Sequence, residues 1–588
     1  MKLLLTTLNS QYIHSAPALR YLYESAGSWR EHITLEEFSV NQEETAVYLQ
    51  IIRGGYDVVC FSCYIWNMTK TLELIRTLKA AQPQLRIVAG GPEASFETRE
   101  LLEAFPEIDL VIRGEGEGLF RRLVEELFSS AGGADFWEEV KKQGRLWGPE
   151  LLEPEEIPFP YQSREPEEGK IVYYEASRGC PYRCAFCMSP AAGSLRFLPL
   201  ERVKKELSYF LSRRVPQVKL IDRTFNADPD RAARILEYLV QQDNGVTNFH
   251  LELCGDRISQ EMMEAFEEAR NGLFQLEIGV QSTCPQALSA CGRHVDFQAL
   301  SENVKRLVDL RTIHIHLDLI AGLPYESFQR FGLSFDQVYA LKPDDLQLGF
   351  LKLIKGSALR RDAGRYGYIY RKKEPYEVIA NDVISARELV ELKQIEHVLG
   401  LYYNKPGFRC TLSYLIDHWF SSPFAFYRKF AAWYFDRGYH LCAQPRRRLY
   451  DILQQWMDQE GFAPAQGLRD LLLYDRLAAE PGSRISEKAY SGFVHQSLHQ
   501  MFRFEEGIRV KELIKTINYH SFTYNVSDLR YRAARDLERE EKTLCIFFSD
   551  KRDAGGMAAE MCLPVPPEGE QTRSLRTPKQ DTGGNHER

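Results

Sequence analysis

No run of roughly eighteen apolar residues occurs anywhere in the chain, which excludes a transmembrane helix. An excess of charge of either sign is also missing. Lys plus Arg number 74 against 82 for Asp plus Glu, a formal net charge of -8. Nothing in that balance calls for nucleic acid or an anionic membrane as partner. Cysteine is scarce, 12 in 588 residues, and is not spaced as a disulfide framework. The opening Met1-Lys2-Leu3-Leu4-Leu5 meets Thr6, Thr7 and Asn9 too soon for the apolar core of a signal peptide. It predicts a buried first strand in a cytoplasmic protein. What the chain does have is ordinary globular material, 44% hydrophobic and 27% charged, enough for more than one core.

The elements predict an α/β protein. Residues 1–128 alternate apolar strands (Lys2–Leu8, Ile33–Val40, Asp57–Tyr64, Arg86–Ala89, Asp109–Arg113) with helical stretches such as Ala16–Ser25, Thr45–Gly54 and Lys70–Gln82. That alternation predicts a doubly wound, Rossmann-like parallel sheet, whose ligands sit beyond the carboxyl ends of the strands. Two loops rich in glycine fall at such ends, Gly90-Gly91-Pro92-Glu93 and Gly114-Glu115-Gly116-Glu117-Gly118. Residues 129–165 lack a sustained period and predict a linker. A second series over 166–365 offers six strands, Ile171–Ala176, Gln217–Asp222, Phe249–Cys254, Phe274–Val280, Ile313–Ile320 and Asp345–Ile354, and predicts a partial (β/α)6 barrel. Residues 366–550 predict a mainly helical domain. Its segment 401–440 holds 14 aromatics, with Phe424, Tyr427, Phe430 and Tyr434 at helical spacing, as in a helix core. Residues 551–588, rich in Gly, Pro, Glu, Arg and Thr, predict a disordered tail.

Three cysteines crowd into Cys180-x3-Cys184-x2-Cys187, directly after a predicted strand. Three thiolates on so short a loop can each hold one iron of a cubane cluster, leaving the fourth iron open. Zinc is the alternative, but a structural zinc site needs a fourth ligand. No Cys or His follows within sixty residues, so zinc would have to recruit His250 or Cys254. Other pairs read as structural. Cys60 and Cys63 lie at odd spacing in a strand, which sends them to opposite faces. His495 and His499 could share a helix face but lack a neighbouring Glu of the zincin kind. His314 and His316 alternate on one strand and face one side together, where they could line the substrate site if that side is the barrel interior.

The cysteine loop, with Phe186 before its last Cys, closely resembles the signature of the radical S-adenosylmethionine (SAM) superfamily. The resemblance extends over roughly residues 170–355. It includes Ile221-Asp222-Arg223-Thr224-Phe225-Asn226, Leu276-Glu277-Ile278-Gly279-Val280-Gln281-Ser282 and Asp318-Leu319-Ile320-Ala321-Gly322-Leu323-Pro324. It implies a [4Fe–4S] cluster on Cys180, Cys184 and Cys187 whose open iron chelates SAM. Reductive cleavage of SAM to a 5′-deoxyadenosyl radical would follow. Glu252, Glu277 and Gln281, at strand ends, are candidates for SAM contacts, with ordinary internal hydrogen bonding as the alternative.

The first sheet, through its two glycine loops, is similar to the cobalamin-binding domain that precedes many radical SAM cores. Gly90, Gly91, Pro92, Gly114, Glu115, Gly116 and Glu117 are the candidate cofactor contacts, because glycines allow a backbone close to a flat macrocycle. One class of cobalamin domain carries D-x-H-x-x-G after the first strand, with its His on cobalt. Here Tyr12 replaces the Asp before His14 and Pro17 the Gly after it, so cobalt ligation by His14 is not expected. The resemblance implies a cobalamin-dependent radical SAM enzyme. Methyl transfer to carbon or radical rearrangement of a small molecule is the expected reaction, with flavodoxin or ferredoxin as reductant. The C-terminal region resembles uncharacterised helical extensions of such proteins. A radical SAM enzyme without cobalamin and a non-catalytic iron–sulfur protein are the alternatives.

Overall fold

The computed structural model describes residues 1–129, 134–189, 193–480, 494, 498, 517–524, 526, 537, 539–552 and 558–564. The chain divides into two compact units, Met1–Leu392 and Lys393–Arg588.

The first unit holds two parallel sheets. The strands β1 (Leu3–Asn9), β2 (Ile33–Ser39), β3 (Val58–Ser62), β4 (Arg86–Gly90), β5 (Leu110–Ile112) and β6 (Leu146–Trp147) line up as β2-β1-β3-β4-β5-β6. All neighbours are parallel. Alternation along each strand builds a core on each face. Leu3, Leu5, Cys60 and Leu110 pack with Leu19, Leu119 and Leu123 from helices Pro17–Ser25 and Glu117–Phe128. Leu4, Val59, Cys63 and Val111 pack on the opposite face with Ile51, Leu74 and Leu78. Each such Leu or Ile contributes about 1.5–3 kcal/mol relative to exposure. The expectation of a linker over 129–165 needs correction. Helix Ala134–Lys142 and β6 occupy it, and β6 extends the first sheet beside β5. The segment is too short to show a period, but Trp147 is buried in the core that Trp137 and Val140 also join.

The second sheet begins with β7 (Val172–Tyr174). A small antiparallel pair follows, β8 (Ser177–Arg178) with β9 (Arg196–Phe197). Next come β10 (Gln217–Leu220), β11 (Asn248–Leu253), β12 (Phe274–Gln281), β13 (His314–Ala321) and β14 (Asp345–Phe350). The order β14-β13-β12-β11-β10-β7 sets each strand beside its predecessor in sequence, as in a partial (β/α)6 barrel. On β12 and β13 fully buried residues alternate with half-buried ones. Leu276, Ile278, Ile315 and Leu317 take the helix-covered face, and Glu277, His314, His316 and Asp318 the concave one. A short hairpin, β15 (Ile369–Tyr370) with β16 (Val378–Ala380), follows the sheet.

The second unit opens as the aromatic pattern predicts. Phe424, Tyr427, Phe430 and Tyr434 of helix Pro423–Asp436 are all buried. It also carries an antiparallel sheet of β17 (Ile517–Tyr524), β18 (Arg539–Arg552) and β19 (Ala558–Pro564). The helical domain is therefore α plus β, and the expected tail is interrupted by a strand. Met561-Cys562-Leu563 pairs with the apolar run Leu544-Cys545-Ile546, which gives it backbone partners that composition alone does not reveal. Residues 565–588 of that tail, with His495 and His499, lie outside the described residues.

Candidate functional site

The cysteine loop leaves the carboxyl end of β7 and is closed at its base by β8 and β9. Buried Asp222, beyond β10, holds that base by accepting the Ser177 hydroxyl at 2.5 Å and the Ala176 N–H at 2.9 Å. Burial raises its carboxyl to about 6. Gly179 follows at φ +87°, and a Cβ there would lie 2.4 Å from the Ser194 carbonyl oxygen, so the turn admits only glycine. Cys184 is buried, while Cys180, Phe186 and Cys187 are half-buried. The sulfurs have neighbours suited to negative charge. The Ser189 N–H lies 3.3 Å from Cys187 Sγ, the Thr224 hydroxyl 3.8 Å from Cys180 Sγ, and Arg293 Nη1 3.8 Å from Cys184 Sγ. Burial pushes the Cys184 thiol up, and Arg293 works against that. Arg293 also donates from Nη2 to the Gly279 carbonyl at 2.5 Å, linking the loop to β12. Among the described residues the only trio of ligand atoms within 4.8 Å lies elsewhere, at Cys545, Glu560 and Cys562. The three loop sulfurs do not form so close a group, and three thiolates on one short loop suit a cluster that takes one iron from each.

On the concave face, Glu252 of β11 and Glu277 of β12 are neighbours in register, with His316 of β13 next in line. His250 Nε2 lies 3.0 Å and Lys219 Nζ 3.4 Å from Glu277 Oε2. The His250 hydrogen bond, joined by the Lys219 charge, lowers Glu277 to about 2. Burial, reinforced by the Glu277 charge, raises Glu252 to about 7. Two adjacent carboxyl groups are thus driven apart, one ionised and one able to hold a proton near neutrality. His316 Nε2 stands 3.0 Å from Asp318 Oδ1, an ion pair on the concave face. Gln281 ends β12 at φ +69°, where the register with β13 shifts.

The carboxyl ends of the first sheet meet both edges of this open barrel. On the β7 side, His14 bridges to Ile171, and its Nδ1 lies 2.6 Å from the Tyr173 hydroxyl. Glu117 and Glu115 of the second glycine loop face Arg178 at 2.6 and 3.5 Å, with Glu175 at 2.9 Å, and Glu115 also pairs with Arg196. On the β14 side, buried Glu93 accepts from the Tyr376 hydroxyl at 2.5 Å and pairs with Lys355 at 3.0 Å. Glu97 pairs with Arg360 at 2.7 Å.

Several loop glycines are accounted for by the protein's own packing. A Cβ on Gly91 would sit 2.7 Å from the Cys63 carbonyl oxygen, and one on Gly116 3.0 Å from Leu22. A Cβ on Gly90 would lie 3.4 Å from the Ile112 carbonyl oxygen and one on Gly114 3.1 Å from Pro149 Cβ, and Pro92 is half-buried. The apolar surface at this end comes from other residues. Tyr12, Ile13 and Trp66 are 77%, 45% and 48% exposed, and Trp66 stacks on Tyr64 with ring centroids 4.4 Å apart. Composition gave no sign of these, nor of Arg178 or Arg293, since a single arginine or an exposed aromatic has no period. Cys60 and Cys63 are buried in the cores on opposite faces, as their spacing predicts.

Known families match in the same order as these elements. Residues 4–124 match the B12 binding domain, residues 174–338 the radical SAM superfamily, and residues 364–548 a protein family of unknown function, DUF4080. The chain therefore carries a B12-binding domain followed by a radical SAM domain, and so implies a [4Fe–4S] cluster, SAM and cobalamin as cofactors. A similar protein is 2-(S-pantetheinyl)-carbapenam-3-carboxylate methyltransferase of Streptantibioticus cattleyicolor, 27% identical over 307 residues. Another is the cobalamin-dependent radical SAM methyltransferase TokK of Streptomyces tokunonensis, 26% identical over 305 residues. Each match covers 47% of this chain and 44% of the relative, so it spans less than half of those proteins. The fold is also that of the cobalamin-dependent SAM radical enzyme OxsB, with a TM-score of 0.52 and 14% identity over 87% of this chain and 77% of that one. TsrM of Kitasatospora setae, a radical SAM methyltransferase solved with tryptophan and a SAM analogue, gives a TM-score of 0.50 at 17% identity, over 64% and 80%. Among the described residues no helix is long and apolar enough to cross a membrane.

Proposed function

We propose that the protein is a cobalamin-dependent radical SAM methyltransferase acting on carbon of a small molecule. The observation that carries this reading is the grip of the first sheet's carboxyl ends on both edges of the open barrel, through Glu115 and Glu117 on one side and Glu93 and Glu97 on the other. A ligand bound at that end faces the cysteine loop and the concave strand face.

The residues fit the implied groups. Cys180, Cys184 and Cys187 would each give one thiolate to the cluster. The exposed apolar surface of Tyr12, Ile13 and Trp66 suits a corrin, while the charged side chains of Glu277, His316 and Asp318 suit a polar ligand on the concave face. When bound, the reduced cluster supplies the electron that cleaves SAM, and cobalamin supplies a methyl carrier. The protein positions these groups and shields them. Arg293 and the Ser189 N–H stabilise charge on the sulfurs, as donors to thiolates do. Ionised Glu277 offers a carboxylate to a cationic ligand, and Glu252 holds or releases a proton near neutrality. A small flavodoxin- or ferredoxin-like protein would deliver the electron.

Anaerobically reconstituted full chain, supplied with SAM, cobalamin and reduced flavodoxin, is the test. Formation of 5′-deoxyadenosine and S-adenosylhomocysteine is expected. Protein with a full cluster that yields 5′-deoxyadenosine but neither binds cobalamin nor forms S-adenosylhomocysteine with any substrate pool would overturn the reading.

A further inference from the structure

In the second unit, Cys545 of β18 and Cys562 of β19 stand directly opposite in the antiparallel ladder, with sulfurs 3.3 Å apart. Glu560, two residues before Cys562, shares its sheet face and places a carboxylate oxygen 3.5 Å from the Cys562 sulfur. One ligand atom from each of the three lies within 4.8 Å of the other two, and no other such trio of His, Cys, Asp or Glu occurs among the described residues. The second Glu560 oxygen accepts a hydrogen bond from the Tyr474 hydroxyl. Tyr474 is fully buried on helix Ala465–Ala479, its ring edge-on to Phe522 and Phe547 at 6.0 and 5.2 Å. A carboxylate steered by a packed tyrosine is the usual support of a metal ligand.

We propose that Cys545, Glu560 and Cys562 form a zinc site, with the fourth coordination position open to solvent or a ligand. Two thiolates and a carboxylate match zinc in ligand type, and three protein ligands with one free position is a known zinc arrangement. Two zinc–sulfur bonds of about 2.3 Å at a tetrahedral angle set the sulfurs about 3.8 Å apart, so the pair opens by only about half an ångström. A disulfide, at about 2.05 Å, would need a larger closure and an oxidant. Zinc binding needs neither: it displaces the thiol protons to solvent, and no electron moves. The exposure of Cys562 gives the ion a way in.

Zinc content of the full chain, purified with zinc and desalted, tests this in a Cys180→Ala/Cys184→Ala/Cys187→Ala background that removes the other thiolate loop. One zinc per chain is expected, and cobalt in its place should give a thiolate-to-cobalt charge-transfer band. Cys562→Ser changes an exposed side chain, and it should abolish both signals with the circular dichroism unchanged. Tyr474→Phe keeps the ring contacts and should weaken zinc roughly 10–100-fold. A packing role alone for this tyrosine predicts no change. Zinc retained by Cys562→Ser, absence of zinc from the parent, or a Cys545–Cys562 disulfide in the zinc-purified protein would each overturn the assignment.

Discussion

Arg178 joins the two sheets of the first unit, and its removal has a calculable cost. The side chain is 9% exposed and meets Glu117, Glu175 and Glu115 at 2.6, 2.9 and 3.5 Å. Glu117 is itself 7% exposed, Glu115 16% and Glu175 21%, so solvent screens the group poorly. The guanidinium also lies over the buried Tyr21 ring, 4.9 Å from its centroid. Arg178→Met would fill much of the volume but strand Glu117 without a cation. Removing one partner of a buried pair costs about 3–5 kcal/mol, mostly for the charge left behind. Adding Glu117→Gln removes that charge, so the double variant should recover roughly half of the loss. For a unit of this size the single variant should lower the Tm by roughly 4–6 °C. Thermal unfolding of the full chain, followed by far-ultraviolet circular dichroism, reads both variants. A single-variant loss below about 1 kcal/mol would show that these charges are hydrated or already balanced. A double variant as unstable as the sum of the singles would refute the coupling.

Four further outcomes follow from the same geometry. Cys184→Ala should abolish the iron-dependent absorbance of reconstituted protein, and a loop that binds only zinc would contradict the cluster assignment. Cys60→Ala with Cys63→Ala should leave iron content intact and cost roughly 1–3 kcal/mol in packing, measured by chemical denaturation, because the two thiols lie in separate cores. Cobalamin should bind without a protein imidazole, since Tyr12 and Pro17 stand where the cobalt-ligating motif has Asp and Gly; a nitrogen splitting in the cobalt(II) EPR spectrum that His14→Ala removes would be decisive against this. Glu252 is raised from 4.5 to about 7, so its contribution to stability is complete below pH 4.5 and is lost as pH rises through about 7. Glu252→Gln should therefore gain about 2–3 kcal/mol over wild type at pH 8 relative to pH 4.5, in denaturant titrations at both values.

Local pattern determined much of this protein without help from the fold. Strand-helix alternation is a short-range property, so both parallel sheets were legible, as were the boundaries of most strands to within one or two residues. The spacing of Cys180, Cys184 and Cys187 is likewise local, and the odd interval between Cys60 and Cys63 was enough to send them to opposite cores. Long-range placement decided the rest. β6 is two residues long and forms only because β5 offers it an edge, and β19 pairs with β18 across an apolar run that composition hides. Arg178 and Arg293 carry no periodic signal, because their partners lie on other loops. The two glycine loops were visible, but their purpose was not. Only the folded chain reveals that Gly91 and Gly116 accommodate Cys63 and Leu22, while Glu115 and Glu117 hold an arginine beside the cysteine loop. Sequence fixes which groups are present and their local period, whereas hydrogen bonds and ion pairs depend on distances that exist only once distant segments have packed.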